Sequence, residues 1–264
     1  MGVAPEDVMR MAERRAEARR ERDFAAADRL RDEIASAGWQ VLDRPDGFEL
    51  APLPVPRAVS VIADVGSWPE DGKRFVASMS RQSQPAGGTE VIEIVPGLGF
   101  AADRNAALGQ AEGEVVVFVD TSLELTGDLI GRLVAALRDP TVAVTGPYGL
   151  VSADLHDYEE RTEGDVVAVQ GYCLAARRAD LVAVGGFRES FTFYRNADID
   201  LSLRLRTAGP EARRAVAVAA DHCRRHTHRA WEETDPEERE RLSRKNMRRI
   251  LDRFGHQATE LVVL

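Results

Sequence analysis

From about residue 58 onward, short apolar runs alternate with stretches in which apolar residues recur at helical spacing. The run Val115–Val119 is too short for a helix and rich in β-branched residues, so it predicts a strand buried on both faces. The same reasoning predicts strands at residues 58–63, 90–95, 142–144, 166–174 and 215–220, and helices at 75–82, 101–111 and 129–137. This alternation is typical of parallel βαβ units, and it indicates an α/β fold with helices flanking a mostly parallel sheet.

The first 50 residues follow a different pattern. Up to about residue 38 the chain is rich in Ala, Arg and Glu, and its apolar residues fall at helical spacing in two runs. This predicts a helical hairpin in which Asp23 caps the second helix and Gly38 ends it. The prolines at 52, 54 and 56 favour an extended linker. We therefore expect a hairpin appendage at residues 1–50, a linker at 51–57 and a main domain at 58–264.

The carboxyl end carries the signature of one long helix. Asp235 followed by Pro236 predicts the helix start, and Gly255 predicts its end. A run of cations lies along this helix: Arg241, Arg244, Lys245, Arg248 and Arg249. Such a run is usually a solvated face, but it could also border an acidic acceptor or a partner.

Composition and charge narrow the class of protein. The formal net charge of −9 argues against a protein that holds nucleic acid mainly through its phosphates. The two cysteines lie far apart in the sequence, so we expect buried thiols rather than a disulfide framework or a cysteine zinc site. No apolar run approaches the roughly 20 residues of a membrane span, and the N-terminus lacks a signal-peptide core. We expect a cytoplasmic protein without a membrane span.

Asp120 is the first candidate for chemistry. It directly follows the buried strand Val115–Val119, and Ser122 and Glu124 come soon after it. Ligands of open α/β sheets bind at the carboxyl ends of the strands, so these side chains should lie at the rim of a cleft, where they could bind a divalent cation or a sugar hydroxyl. The alternative is that Asp120 only begins a turn after a core strand.

A histidine-rich loop is the second candidate. His222, His226 and His228 follow the predicted strand at 215–220 and are interspersed with arginines. If the loop is extended, His226 and His228 point to one side. A basic, histidine-containing loop suits an anionic diphosphate, although a single histidine of this kind is most often structural.

Three blocks of the main domain, in the same order, resemble the family 2 glycosyltransferases: VSVIADVG, then GFAADRNAALGQAEGEVVVFVDTS, then GYCLAARRADLVAVGGFRESFTFYRNADIDLSLRLRTAG. The resemblance implies the GT-A fold and an inverting transfer of a sugar from a nucleotide-diphosphate sugar to a hydroxyl acceptor that the sequence does not identify.

The resemblance also implies a role for particular residues. Asp120 and Ser122 fall on the family's DXD position, which holds a divalent metal, Mn or Mg, to which His226 or His228 would contribute. Asp198, in YRNADID, falls on the position of the catalytic base, and a helix beginning there would favour its ionised form. The alternative is that Asp198 or Asp200 is only a helix cap. The residues implied in donor binding are Asp64, Arg104 and Asn105, of which Asn105 could instead hold the loop.

Two departures from the family pattern leave a second interpretation open. Ser122 replaces the last aspartate of the DXD motif, and Ala197 replaces the glutamate before Asp198. The chain could therefore be a non-catalytic nucleotide-sugar-binding or scaffold protein.

The hairpin has a resemblance of its own. Residues RAEARRERDFAAADRLRDEIASAGWQVLDRPDGFEL are similar to the small C-terminal helical module of cysteinyl-tRNA synthetases. The nucleotide signatures and the zinc cluster of those enzymes are not found in this sequence, so aminoacylation is not implied. We expect a docking appendage for a protein or RNA partner, or else a plain charged helix pair.

Overall fold

The computed structural model describes residues 4–37, 39–44, 47–52, 58–83 and 87–263. The chain divides into two compact units, residues 1–55 and 56–264. The predicted linker lies largely outside the described residues, as does Gly38, the predicted end of the second helix. The independence of the two domains stays a prediction.

The first unit is a helical hairpin followed by a β-ribbon. Its elements are α1 (Glu6–Arg20), α2 (Phe24–Ser36), β1 (Trp39–Arg44) and β2 (Gly47–Pro52), and the two strands pair antiparallel. Asp23 Oδ1 accepts a hydrogen bond from the amide of Ala26 at 2.9 Å, which confirms the predicted cap. A small core of Val8, Ala12 and Ile34 packs against apolar residues of the ribbon, and this contact stabilises the hairpin.

The second unit contains all the remaining elements. Its helices are α3 (Pro69–Met79), α4 (Phe100–Leu108), α5 (Leu129–Ala136), α6 (Arg178–Ala183), α7 (Ala197–Arg206), α8 (Arg229–Glu233), α9 (Pro236–Phe254) and α10 (Ala258–Leu261). Its strands are β3 (Val59–Ala63), β4 (Thr89–Glu93), β5 (Val115–Val119), β6 (Leu123–Leu125), β7 (Val142–Gly146), β8 (Gly149–Val151), β9 (Glu159–Arg161), β10 (Gly164–Val166), β11 (Ala168–Val169), β12 (Cys173–Arg177), β13 (Arg214–Ala217) and β14 (Cys223–Arg225).

The central sheet is mixed rather than mostly parallel. Its strand order is β10-β13-β7-β12-β5-β3-β4. The pairs of β3 with β4, β3 with β5, and β7 with β13 are parallel, but β12 runs antiparallel to both of its neighbours. The single strand predicted at 166–174 is in fact divided, because the chain leaves β11, which pairs with β8, and turns before it enters the central sheet as β12. Apolar periodicity alone does not reveal such a change of sheet.

The core lies on both faces of this sheet. Every residue of β3, β5 and β7 is buried, which confirms the prediction for Val115–Val119. Helix α9 begins and ends as predicted, since Asp235 accepts hydrogen bonds from the amides of Glu237 and Glu238 at 3.0 and 3.1 Å. Cys173 is buried, Cys223 is half-buried, and neither forms a disulfide. In the ranges given above, no helix is both long and apolar enough to cross a membrane.

Candidate functional site

A cleft of about 820 Å³ opens at the carboxyl ends of β3 and β5. Asp64 and Asp120 directly follow these two strands, and both line the cleft. The other predicted residues that line it are Arg104, Asp198 and His228. A cleft at this edge of an α/β sheet is the expected position for a ligand.

Asp120 begins a turn and also lines the cleft. Its Oδ1 accepts a hydrogen bond from the amide of Ser122 at 2.8 Å, so the carboxylate does begin a turn, and Oδ2 lies 3.2 Å from His228 Nε2. Burial raises the pKa of Asp120, but the hydrogen bonds from His228 and Ser122 outweigh it and bring the pKa below its ordinary value. Asp120 is therefore held as a carboxylate.

The contacts of His228 fix its tautomer. Nδ1 accepts a hydrogen bond from the amide of Trp231 at 3.1 Å and so caps α8, while the ring packs against Tyr172 and Tyr194. A neutral imidazole has one N–H, so in this arrangement the proton is assigned to Nε2, which donates to Asp120.

Asp120 and His228 fit a divalent cation as a two-ligand set. The carboxylate suits either Mn²⁺ or Mg²⁺ when the diphosphate and water supply the other ligands, whereas the imidazole favours a transition metal such as Mn²⁺ over Mg²⁺. Among the described residues, no group of three His, Cys, Asp or Glu side chains is arranged to hold a metal by itself. Ligation through His228 Nε2 also requires the proton to move to Nδ1, which ends the cap on Trp231.

Ser122 and His226 do not join this pair. Strands β6 and β14 form a short antiparallel ribbon, and at its end the amide of His226 donates to the Ser122 carbonyl at 2.8 Å. His226 Nε2 lies 3.0 Å from Glu124 Oε2, and neither residue lines the cleft. The Ser122 side chain is almost fully buried. The four predicted metal residues are thus not assembled as one group, because the two histidines have different carboxylate partners.

Asp198 lies in the first turn of α7, where the sequence predicted the start of a helix. Its Oδ2 accepts a hydrogen bond from the amide of Gly171 at 2.7 Å, and its Oδ1 accepts one from Ile199 at 2.9 Å. Burial raises the pKa of Asp198 and outweighs both amides and the charge of Arg195, which act in the opposite direction. Desolvation therefore has a larger effect on this carboxylate than the helix terminus, which was expected to favour its ionised form.

Asp200 has a structural role. Its side chain is only 1% exposed and forms ion pairs with Arg204 at 2.7 Å and Arg188 at 3.1 Å. Arg204 in turn donates to the carbonyls of Val184 and Gly186, both at 2.7 Å. This network fastens α7 to the segment after α6, and Asp200 does not line the cleft.

Of the three residues predicted to bind the donor, two line the cleft and one has a structural role. The Arg104 guanidinium lies 3.6 Å from the centre of the Phe100 ring, and burial lowers the pKa of Arg104 to about 10, so it stays charged at neutral pH. Asp64 accepts a hydrogen bond from the amide of Ser67 at 3.0 Å. Asn105 forms two hydrogen bonds with the backbone of Phe187, at 2.7 and 2.8 Å, and does not line the cleft. It holds the loop, which was the alternative for this residue.

Several aromatic residues of the cleft escaped the sequence reasoning. Trp231 lies between the guanidinium groups of Arg195 and Arg239, at 4.8 and 3.8 Å from its ring. Tyr158 and Tyr194 also line the cleft. These aromatic residues come together around the carboxylates only in the folded chain. Only Trp231, which is close to His228 in the sequence, could have been associated with the site beforehand.

Fold and site together define an α/β protein with an acidic, histidine-containing ligand cleft at its strand ends. Residues 62–200, more than half of the chain, match the family described as glycosyl transferase family 2. The chain belongs to this family.

Solved structures agree on the fold. A crystal structure of GalNAc-T7 with UDP, GalNAc and Mn²⁺ has a TM-score of 0.60 at 12% identity, over 76% of this chain and 50% of that one. Staphylococcus aureus TarS (residues 1–349) in complex with UDP gives 0.47 at 14% identity, over 74% of this chain and 72% of that one. The first comparison confirms the predicted GT-A fold.

The hairpin matches a different group of proteins. Cysteine--tRNA ligase of Opitutus terrae is 54% identical over 48 residues, which is 18% of this chain and 10% of the relative. The Streptococcus agalactiae protein is 51% identical over 45 residues, 17% of this chain and again 10% of the relative. The chain thus spans about a tenth of the length of these curated relatives, and the resemblance of the N-terminal region to them is confirmed.

Proposed function

We propose that the protein is an inverting glycosyltransferase that moves a sugar from a nucleoside-diphosphate sugar to a hydroxyl acceptor. The observation that carries the proposal is the meeting of two different carboxylates in one cleft: Asp120, paired with His228, and Asp198, which has no cationic partner within 4 Å among the described residues. One suits the leaving diphosphate, and the other suits the acceptor hydroxyl.

Asp198 is the proposed base. The acceptor oxygen forms a bond to the anomeric carbon while the bond from that carbon to the diphosphate oxygen breaks, and the acceptor proton passes to Asp198. A single displacement of this kind inverts the anomeric centre. The raised pKa of Asp198 makes it a better proton acceptor than an ordinary aspartate, and the amides of Gly171 and Ile199 orient its carboxylate.

The leaving diphosphate takes the electron pair and requires positive charge nearby. Arg104, which lines the cleft and stays charged, supplies it from the protein. A divalent cation held by Asp120 and His228 would supply Lewis-acid neutralisation of the same oxygens. Asp64 lies close enough to interact with the charge of Arg104, and we assign it to the donor side.

UDP is the first donor nucleotide to test, since the GalNAc-T7 structure that shares this fold contains it. Thermal shift with a panel of nucleoside diphosphates and nucleotide sugars, with and without Mn²⁺, should show stabilisation by at least one of them, which Mn²⁺ increases. Asp120→Asn should lose the Mn²⁺-dependent part, whereas Glu124→Gln, at the neighbouring His226 pair, should retain it. Equal Mn²⁺ dependence in Asp120→Asn and the parent would remove Asp120 from the site.

The same panel addresses the alternative of a non-catalytic nucleotide-sugar-binding protein with a docking hairpin. The observation that favours this alternative is that the described residues hold no three-ligand metal group. Binding of a nucleotide sugar without transfer or donor hydrolysis, at any Mn²⁺ concentration, would support it over the enzyme.

A further inference from the structure

Helix α9 presents two neighbouring faces with different roles. Glu240, Ser243, Arg244 and Met247 line the cleft, at the spacing of one helix face. The adjacent face bounds a shallow depression of about 410 Å³, lined by Arg241, Arg244, Lys245, Arg248, Arg249 and Asp252. Arg244 belongs to both, so the depression continues directly from the cleft. We call the five cations of this face the basic stripe.

The basic stripe is only partly neutralised within the protein. Arg241 makes a two-point ion pair with Glu238, both contacts at 2.6 Å, and Arg244 lies 3.4 Å from Glu240. Among the described residues, Lys245 and Arg248 have no carboxylate within 4.0 Å, and both are exposed. Like charges three and four residues apart destabilise a helix by a few tenths of a kcal/mol per pair, so the stripe persists at a cost to the fold.

The surroundings make this stripe distinctive. The protein carries a net charge of −9, and the cleft beside the stripe contains Asp120, Asp157, Asp198 and Glu240. The stripe therefore offers an anionic group a strip of positive charge directly beside the cleft. From Arg241 to Arg248 the helix rises about 10 Å, so the stripe can meet more than one anionic group of an extended molecule.

We propose that the acceptor is an anionic carbohydrate or polyol chain, whose phosphate or carboxylate groups lie along the basic stripe while a hydroxyl enters the cleft beside Asp198. This inference rests on the proposed transferase function and names the class of its acceptor. Arginine binds both phosphate and carboxylate through paired N–H groups, so the shared chemistry is a chain of anionic groups.

The test uses three probes on the full chain: an oligogalacturonate for carboxylates, a short linear polyphosphate for phosphates, and neutral maltohexaose. The variant is Lys245→Glu with Arg248→Glu, which avoids every residue that lines the cleft. The matched control is Arg138→Glu with Arg178→Glu, two exposed arginines that line neither the cleft nor the depression. It changes the net charge equally. UDP binding is measured in every protein.

We expect the parent to bind at least one anionic probe more tightly than maltohexaose, and the stripe variant to bind it about tenfold more weakly. The control should stay within about twofold of the parent, because charges beyond a Debye length are screened. The anionic probe that loses affinity in the stripe variant identifies phosphate or carboxylate as the chemistry that the stripe recognises.

Two results would overturn the proposal: anionic probes that bind no better than maltohexaose, or an equal loss in the stripe variant and the control. In either case intact UDP binding would show that the donor site is unaffected, so the result would refute the acceptor class and not the proposed donor site. A parent that binds no nucleotide at all would instead refute the proposed function.

Discussion

Replacing Asp198 by asparagine should impair catalysis and, at the same time, change how stability depends on pH. The carboxylate is desolvated, and its pKa lies above the ordinary value of 3.8. Its ionised form is therefore less stable in the folded chain than in the unfolded one. Well below pH 3.8 the difference between the parent and the variant should not depend on pH, because both then carry a neutral group at this position.

The sign follows from linkage. As pH rises from the unfolded-state pKa to the raised folded-state pKa, the parent loses stability that Asp198→Asn keeps, so the difference in Tm should grow in favour of the variant over this window and stay constant above it. If the folded-state pKa exceeds the unfolded-state pKa by one, the parent loses about 1.4 kcal/mol, or about 3–5 °C in Tm for a domain of this size. The amide must turn its NH₂ toward one of the two backbone N–H donors, Gly171 or Ile199, which adds a cost that does not depend on pH.

The decisive measurement is thus the pH slope of the Tm difference rather than its value at one pH. Calorimetry of parent and variant from pH 4 to about pH 8 gives this slope, and donor consumption with an acceptor gives the rate. Transfer should fall by about 10²–10⁴ while donor affinity stays nearly constant. A Tm difference that does not change with pH would refute the desolvated carboxylate, and a rate within a few-fold of the parent would refute the base.

Three further outcomes are expected. Asp200→Ala should destabilise the fold by about 3–5 kcal/mol, measured by urea unfolding, because it leaves Arg204 buried without its carboxylate. His228→Ala should remove the α8 cap, at about 1 kcal/mol, and weaken the Mn²⁺-dependent thermal shift, whereas His226→Ala should leave that shift unchanged. A chain that begins at Arg57 should fold and bind the same nucleotide as the full protein; insolubility or lost binding would show that the hairpin belongs to the core.

Most helices and strands could be predicted from the sequence, because burial imposes a local pattern of apolar residues. The run Val115–Val119 is apolar at every position since both of its faces are covered, and the cap at Asp235 is a local backbone signal. The direction of β12 was not accessible in this way. A buried strand reads the same whether its neighbours run parallel or antiparallel, and the turn that separates β11 from β12 contains no proline.

The sequence predicted where the candidate site lies, but not which of its side chains contact each other. Chain order placed Asp120 and Asp198 at strand and helix ends, where both are found. It could not tell which histidine would meet Asp120, because the ribbon of β6 and β14 pairs His226 with Glu124 and leaves His228 for Asp120. These choices depend on strand register, which chain order alone does not determine.

The pKa values of the two carboxylates in the cleft differ because their hydrogen-bond partners differ, and not because one is more buried than the other. Desolvation raises the pKa of both Asp120 and Asp198. For Asp120 the hydrogen bonds from His228 and Ser122 lower the pKa by more than burial raises it, whereas Asp198 has mainly backbone amides, which only reduce the rise. Two carboxylates whose pKa values are driven apart can serve different steps of one reaction. The lowered pKa keeps Asp120 charged for a cation beside the diphosphate, and the raised pKa prepares Asp198 to accept a proton.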